Sequence, residues 1–122
     1  MIGLAAAASS SWAPPPNATA PVPAVTLNNK VAMPMISLGT WQYSSSVAES
    51  TVTLGLKLGF NHIDTANDYG NQDGVGKALA GVARDSYFLT TKVPPQEHEG
   101  SAYDGTTKDL DENLRLLDPR GS

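Results

Sequence analysis

Between residues 25 and 117 short apolar runs alternate with segments whose apolar positions recur at helical spacing. Val25-Thr26-Leu27 and Val31-Ala32-Met33 flank the turn-forming pair Asn28-Asn29, which predicts a hairpin ended by Pro34. Met35-Ile36-Ser37-Leu38 reads as a buried strand stopped by Gly39. Ser46-Val47-Ala48-Glu49 has capping-box spacing, and Val47, Thr51, Leu54 and Leu58 then share one helical face, with Gly59 closing the helix. Residues 60–64 form the next strand. Residues 71–79 form a helix that Gly74 and Gly76 weaken and Gly81 ends. The aromatic and β-branched run at 87–93 is a third strand, stopped by Pro94-Pro95. Tyr103, Thr107, Leu110, Leu114 and Leu117 then mark a final amphipathic helix before Pro119.

After the hairpin the order is strand, helix, three times over. Such alternation predicts an α/β fold of parallel strands joined by right-handed helical crossovers, with functional groups gathered beyond the strands' carboxyl ends. Residues 1–24 carry no charge and from residue 5 on are almost all Ala, Ser and Pro, so they offer little to bury and read as a flexible leader. No Lys or Arg precedes the apolar stretch at 2–8, so a secretory signal is the weaker reading of that end. The folding part runs from 25 to 118, and 119–122 is a tail.

Charge narrows the partners. Eight basic against twelve acidic residues give a formal net charge of −4 with no basic cluster, which argues against nucleic acid. No run reaches the roughly 18 apolar residues of a membrane span. The absence of cysteine removes disulfides, thiolate nucleophiles and zinc-thiolate sites, and suits a cytoplasmic setting.

The candidate chemistry lies at the strand ends. Asp64 and Lys92 close consecutive strands, which in a parallel sheet sit about 4.8 Å apart, and Tyr69 hangs over them from the intervening loop. This trio suggests proton donation by a phenol: a free tyrosine titrates near 10, and a neighbouring ammonium lowers that value by favouring the anion. Asp64 would hold the ammonium in place. Trp41 is either core or site lining, His62 reads as a structural strand residue, and His98 has no partner at metal-site spacing, so no metal is expected. Gly74-Val75-Gly76-Lys77-Ala78 is a poor phosphate loop, because the first glycine is misplaced and Ala78 cannot ligate magnesium.

Three segments together resemble the aldo-keto reductases: Gly39-Thr40-Trp41, residues 59–76, and Thr91-Lys92. The long segment matches the family pattern at Gly59, Phe60, His62, Ile63, Asp64, Thr65, Ala66, Gln72, Val75 and Gly76, and departs from it at Asn61, where the family usually has Arg. The resemblance implies part of a (β/α)₈ barrel that uses NADPH to reduce aldehydes or ketones. By position it implies Tyr69 as general acid, Lys92 as its partner and Asp64 as the carboxylate paired with Lys92. Thr40 and Asp64 would lie near the nicotinamide ribose, with Trp41 and Tyr69 lining the pocket for a small carbonyl substrate.

The same resemblance points to what the chain does not contain. The family's active-site histidine ends the fourth strand, and a (β/α)₈ barrel takes about 250 residues, so three strands cannot close it. Three readings follow: the N-terminal portion of a reductase, inactive as it stands; one part of a split enzyme finished by a complementing chain; or a non-catalytic interaction module that kept the fold's first units.

Overall fold

The computed structural model describes residues 22–95 and 101–118. Most of the leader and the tail, together with His98, lie outside the described residues.

The predicted hairpin forms from β1 (Ala24–Thr26) and β2 (Ala32–Pro34), antiparallel with Val25 opposite Met33. Its turn closes through a bond from Lys30 N to Leu27 O, with Lys30 in the left-handed region at φ 68°. Three parallel strands follow, β3 (Leu38–Gly39), β4 (His62–Asp64) and β5 (Phe88–Thr90), in that spatial order. Their crossovers are α1 (Ser45–Lys57) and α2 (Gln72–Leu79), and α3 (Ala102–Leu117) comes after β5. Leu38 pairs with Ile63 and Gly39 with Asp64, while Ile63 pairs with Leu89 and Asp64 with Thr90.

That register assigns the two faces of the sheet. Ile63 is fully buried in a cluster with Ala48 and Val52 of α1, Val75 and Leu79 of α2, and Leu117 of α3. Alternation along the strand therefore turns His62 and Asp64 to the face away from the helices, and their partners Phe88 and Thr90 go with them. His62 spans that face: one ring nitrogen lies 2.8 Å from Pro34 O and the other 2.9 Å from the Thr90 hydroxyl, tying the hairpin to β5. The structural reading of His62 holds.

Four expectations are corrected. The strand expected at 35–38 reduces to Leu38–Gly39, and Met35 and Ile36 are exposed, because Met35 N bonds to Pro23 O and continues the hairpin instead. The cap of α1 is Ser44, whose hydroxyl accepts from Val47 N, two residues ahead of the capping box read from the sequence. The buried face of α1 is Ala48, Val52 and Gly55, whereas Val47, Leu54 and Leu58 face outward, Leu58 being 70% exposed. The reason is steric: Gly55 sits against the Leu38 side chain, so the helix meets the sheet through its smallest residues, and a reading that weights large apolar side chains selects the wrong face. In α3 likewise Leu117 is buried, but Tyr103, Leu110 and Leu114 are exposed, and the second enclosed position is the polar Asn113.

Gly74 and Gly76 do more than weaken α2. A Cβ at Gly74 would run into the Ser45 carbonyl at the start of α1, and one at Gly76 into the Leu116 carbonyl near the end of α3. These two positions let α1 and α3 dock against α2 backbone to backbone. Gly59 closes α1 as expected, at φ 94°.

Candidate active site

Lys92 follows β5 by two residues, so it projects on the same face as Thr90 and Asp64. Its ammonium has three donors and meets three acceptors: Asp64 Oδ1 at 2.6 Å, Thr65 O at 3.1 Å and the Tyr69 hydroxyl oxygen at 3.3 Å. The sequence-predicted trio is thus one cluster. Partial burial alone would pull the Lys92 pKa down, but the bonds to Asp64 and Tyr69 outweigh it and hold the group above the ordinary lysine value. Both charges stay open to solvent, the Lys92 side chain at 47% and Asp64 at 29%.

Tyr69 arrives by a short 3-10 turn, Asn67–Tyr69, which Gly70 ends in the left-handed region at φ 64°. Because the phenol oxygen accepts from Lys92, its own O–H is free to point elsewhere. A phenol so arranged can give its proton to an acceptor above the sheet, and the ammonium remains to stabilise the resulting anion.

Thr40 and Trp41 part company. Thr40 is fully enclosed, with its backbone N–H bonded to Asp64 O and its hydroxyl 3.3 Å from the same carbonyl and 3.5 Å from Asn71 Oδ1. Through these bonds it supports the end of β4. Asn71, enclosed itself, donates to the carbonyls of Thr40 (2.7 Å) and Tyr43 (2.9 Å) and folds the loop over Thr40. Trp41 is 65% exposed on that loop and is not part of the core.

A second polar group lies behind the trio. Asn113 of α3 accepts from Asn67 Nδ2 at 2.9 Å and from Gln72 Nε2, and donates to Lys92 O at 3.3 Å, while Gln72 Oε1 takes the Thr91 hydroxyl at 2.6 Å. Sequence reasoning passed over Asn67, Asn71 and Asn113, and Gln72 entered only as a pattern match. For Asn113 a signal existed: a carboxamide four residues before Leu117 shares its helical face, and a polar side chain in a buried phase needs partners. Among the described residues, Thr65 Oγ1 is the one buried side-chain oxygen without a hydrogen-bond partner.

The parallel βα units carry the Asp64–Tyr69–Lys92 cluster beyond their carboxyl ends, the arrangement by which the chain resembles the aldo-keto reductases. Residues 35–119 match the sequence profile of the Aldo/keto reductase family. The chain belongs to that family. It is 43% identical over 96 residues to glycerol 2-dehydrogenase (NADP(+)) of Saccharomyces cerevisiae, which covers 76% of this chain and 29% of the yeast protein. Over 73 residues it is 47% identical to a methylglyoxal reductase of Yersinia pestis, covering 58% of this chain and 26% of that protein. Among solved structures, an aldo/keto reductase from Brucella melitensis superposes with a TM-score of 0.70 at 44% identity, over 79% of this chain and 36% of its own. A Bombyx mori aldo-keto reductase in complex with NADP gives 0.68 at 30% identity, over 79% and 34%. The chain therefore spans about a third of the length of these relatives.

The residues present suit one end of a nicotinamide cofactor. Asp64, Lys92 and the Tyr69 hydroxyl form an open set of donors and acceptors at the strand ends. Of the other described basic side chains, Lys77 and Arg115 pair with Asp73 and Glu112, and Arg84 precedes β5, at the opposite end of that strand from Lys92. No helix among the described residues is long and apolar enough to cross a membrane.

Proposed function

We propose that this chain supplies the proton-donating wall of an NADPH-dependent reductase acting on small aldehydes or ketones. The observation that carries the reading is the cluster in which one ammonium touches both a carboxylate and a phenol at the mouth of a parallel sheet. Tyr69 protonates the carbonyl oxygen as it gains charge, Lys92 stabilises the phenolate left behind, and Asp64 keeps Lys92 charged and aimed. When bound, the nicotinamide cofactor supplies the hydride. Trp41, exposed beside the strand ends, lines the approach for the substrate.

Completion of the barrel is part of the proposal. Among the described residues β5 pairs with β4 alone, so its outer edge is open, and the outward-facing Leu110 and Leu114 of α3 lie uncovered nearby in sequence. Further strands and helices, on this polypeptide or another, would cover both. Loss of NADPH absorbance tests the reading, with methylglyoxal as substrate and the 122-residue chain alone or mixed with the remaining two-thirds of a relative such as the Brucella reductase. Turnover that needs both pieces supports it; a mixture that folds together, binds NADPH and never reduces the carbonyl contradicts it.

A further inference from the structure

Lys92 stands two residues past the end of β5. The Thr90 carbonyl takes the amide of Thr65, and the Lys92 carbonyl repeats that spacing by taking the amide of Asn67. Lys92 O thus has two donors, Asn67 N at 3.1 Å and Asn113 Nδ2 at 3.3 Å. The first comes from the turn that carries Tyr69. The second comes from α3, outside the cluster.

The chemistry of these groups fixes which way each amide faces. A carbonyl only accepts, so Asn113 turns its nitrogen to Lys92 O, and its oxygen is left for the side-chain nitrogens of Asn67 and Gln72. Gln72 then offers its own oxygen to the Thr91 hydroxyl. Asn113 is itself enclosed completely, so its own nitrogen and oxygen depend on these bonds and not on solvent. A side chain without both an acceptor and a donor would leave at least one of them open.

We propose that Asn113 is a positioning residue for the Tyr69–Lys92 pair: by clamping Lys92's carbonyl to the Asn67 turn, it sets the separation at which ammonium meets phenol. The proposal rests on the reading of that pair as the proton-delivering unit. Asn113 touches neither the phenol nor the ammonium and acts only through the backbone at 92 and the side chain at 67.

Titration of Lys92 in the whole 122-residue protein tests it, followed by NMR with ¹³Cε-lysine labelling, with and without Tyr69→Phe. The displacement of the Lys92 midpoint caused by Tyr69→Phe measures how tightly the two side chains are coupled. Asn113→Leu should cut that displacement to less than about half of the wild-type value, as expected when a shared contact is broken in a double-mutant cycle. Asn113→Asp, the same shape without the donor to Lys92 O, should move it in the same direction even if the leucine variant does not fold. Leu117→Ala removes apolar packing from the same helix and no polar bond, and should leave the displacement unchanged. Full coupling in folded Asn113→Asp overturns the positioning role, as does an equal loss in Leu117→Ala. No coupling in the wild type overturns the pair itself and the clamp with it, a result the variants alone cannot produce.

Discussion

Asp64 closes β4 and Lys92 stands two residues past β5, and their side chains meet at 2.6 Å across the mouth of the sheet. The contact follows from register: Asp64 faces Thr90, so the residue two further on reaches back over it. Its dependence on pH has a definite sign. The folded-state pKa of Lys92 is raised, so its stabilisation is fully present below the ordinary lysine value of 10.5 and is lost as pH rises through the folded value. Because Lys92 is about half exposed, the pair contributes only roughly 0.2–1 kcal/mol. Alkaline thermal melts should show wild type and Asp64→Asn differing below pH 10.5 and converging above it.

Gly76→Ala weighs two opposed effects. Alanine ordinarily gains about 1 kcal/mol in a helix interior, but here its methyl group meets the Leu116 backbone, and overpacking costs about 1–3 kcal/mol. The methyl group meets backbone rather than a movable side chain, so the clash wins, with an expected net loss of up to about 2 kcal/mol by urea denaturation. Gly81→Ala is the control: nothing lies near its Cβ position, so it should be neutral or stabilising by up to about 1 kcal/mol.

Asn71→Ala would leave the carbonyls of Thr40 and Tyr43 without their enclosed donor. Thr40 O keeps its bond from Tyr43 N, so the loss is two hydrogen bonds at about 0.5–1.5 kcal/mol each, and the substitution should lower the melting temperature clearly. It should also free the loop over Thr40, which limited proteolysis would detect at Trp41 and Tyr43.

Trp41→Ala separates function from stability. An indole 65% exposed contributes little to folding, so the melt should move by no more than about 0.5 kcal/mol. Under the proposed function the same change raises KM for carbonyl substrates in the completed enzyme, and unchanged kinetics would remove Trp41 from the substrate wall.

Much of this was legible in the chain because it rests on local, periodic features. The hairpin turn, the order of strands and helices and the approach of Asp64, Tyr69 and Lys92 follow from turn chemistry and from the rule that parallel strands gather groups at their carboxyl ends. What the chain concealed depends on close approach. Gly55, Gly74 and Gly76 make helix contacts by lacking side chains, and a reading based on large apolar residues sees nothing at those positions. The Asn67–Gln72–Asn113 group was hidden for a related reason: residues far apart in sequence become partners only once α3 has docked on α2. Thr40 entered only through the family resemblance, and the bonds that enclose it come from Asn71, 31 residues away.

Under the proposed function the hydroxyl of Tyr69 delivers the proton. The most direct measurement is the steady-state rate of NADPH-dependent carbonyl reduction by the completed enzyme, with and without Tyr69→Phe, a change that removes one oxygen and keeps the ring. General acid catalysis contributes about 10²–10⁴-fold, so the account predicts a fall in kcat of at least about 10²-fold with NADPH binding retained. A phenylalanine enzyme that turns over within a few-fold of wild type would contradict it.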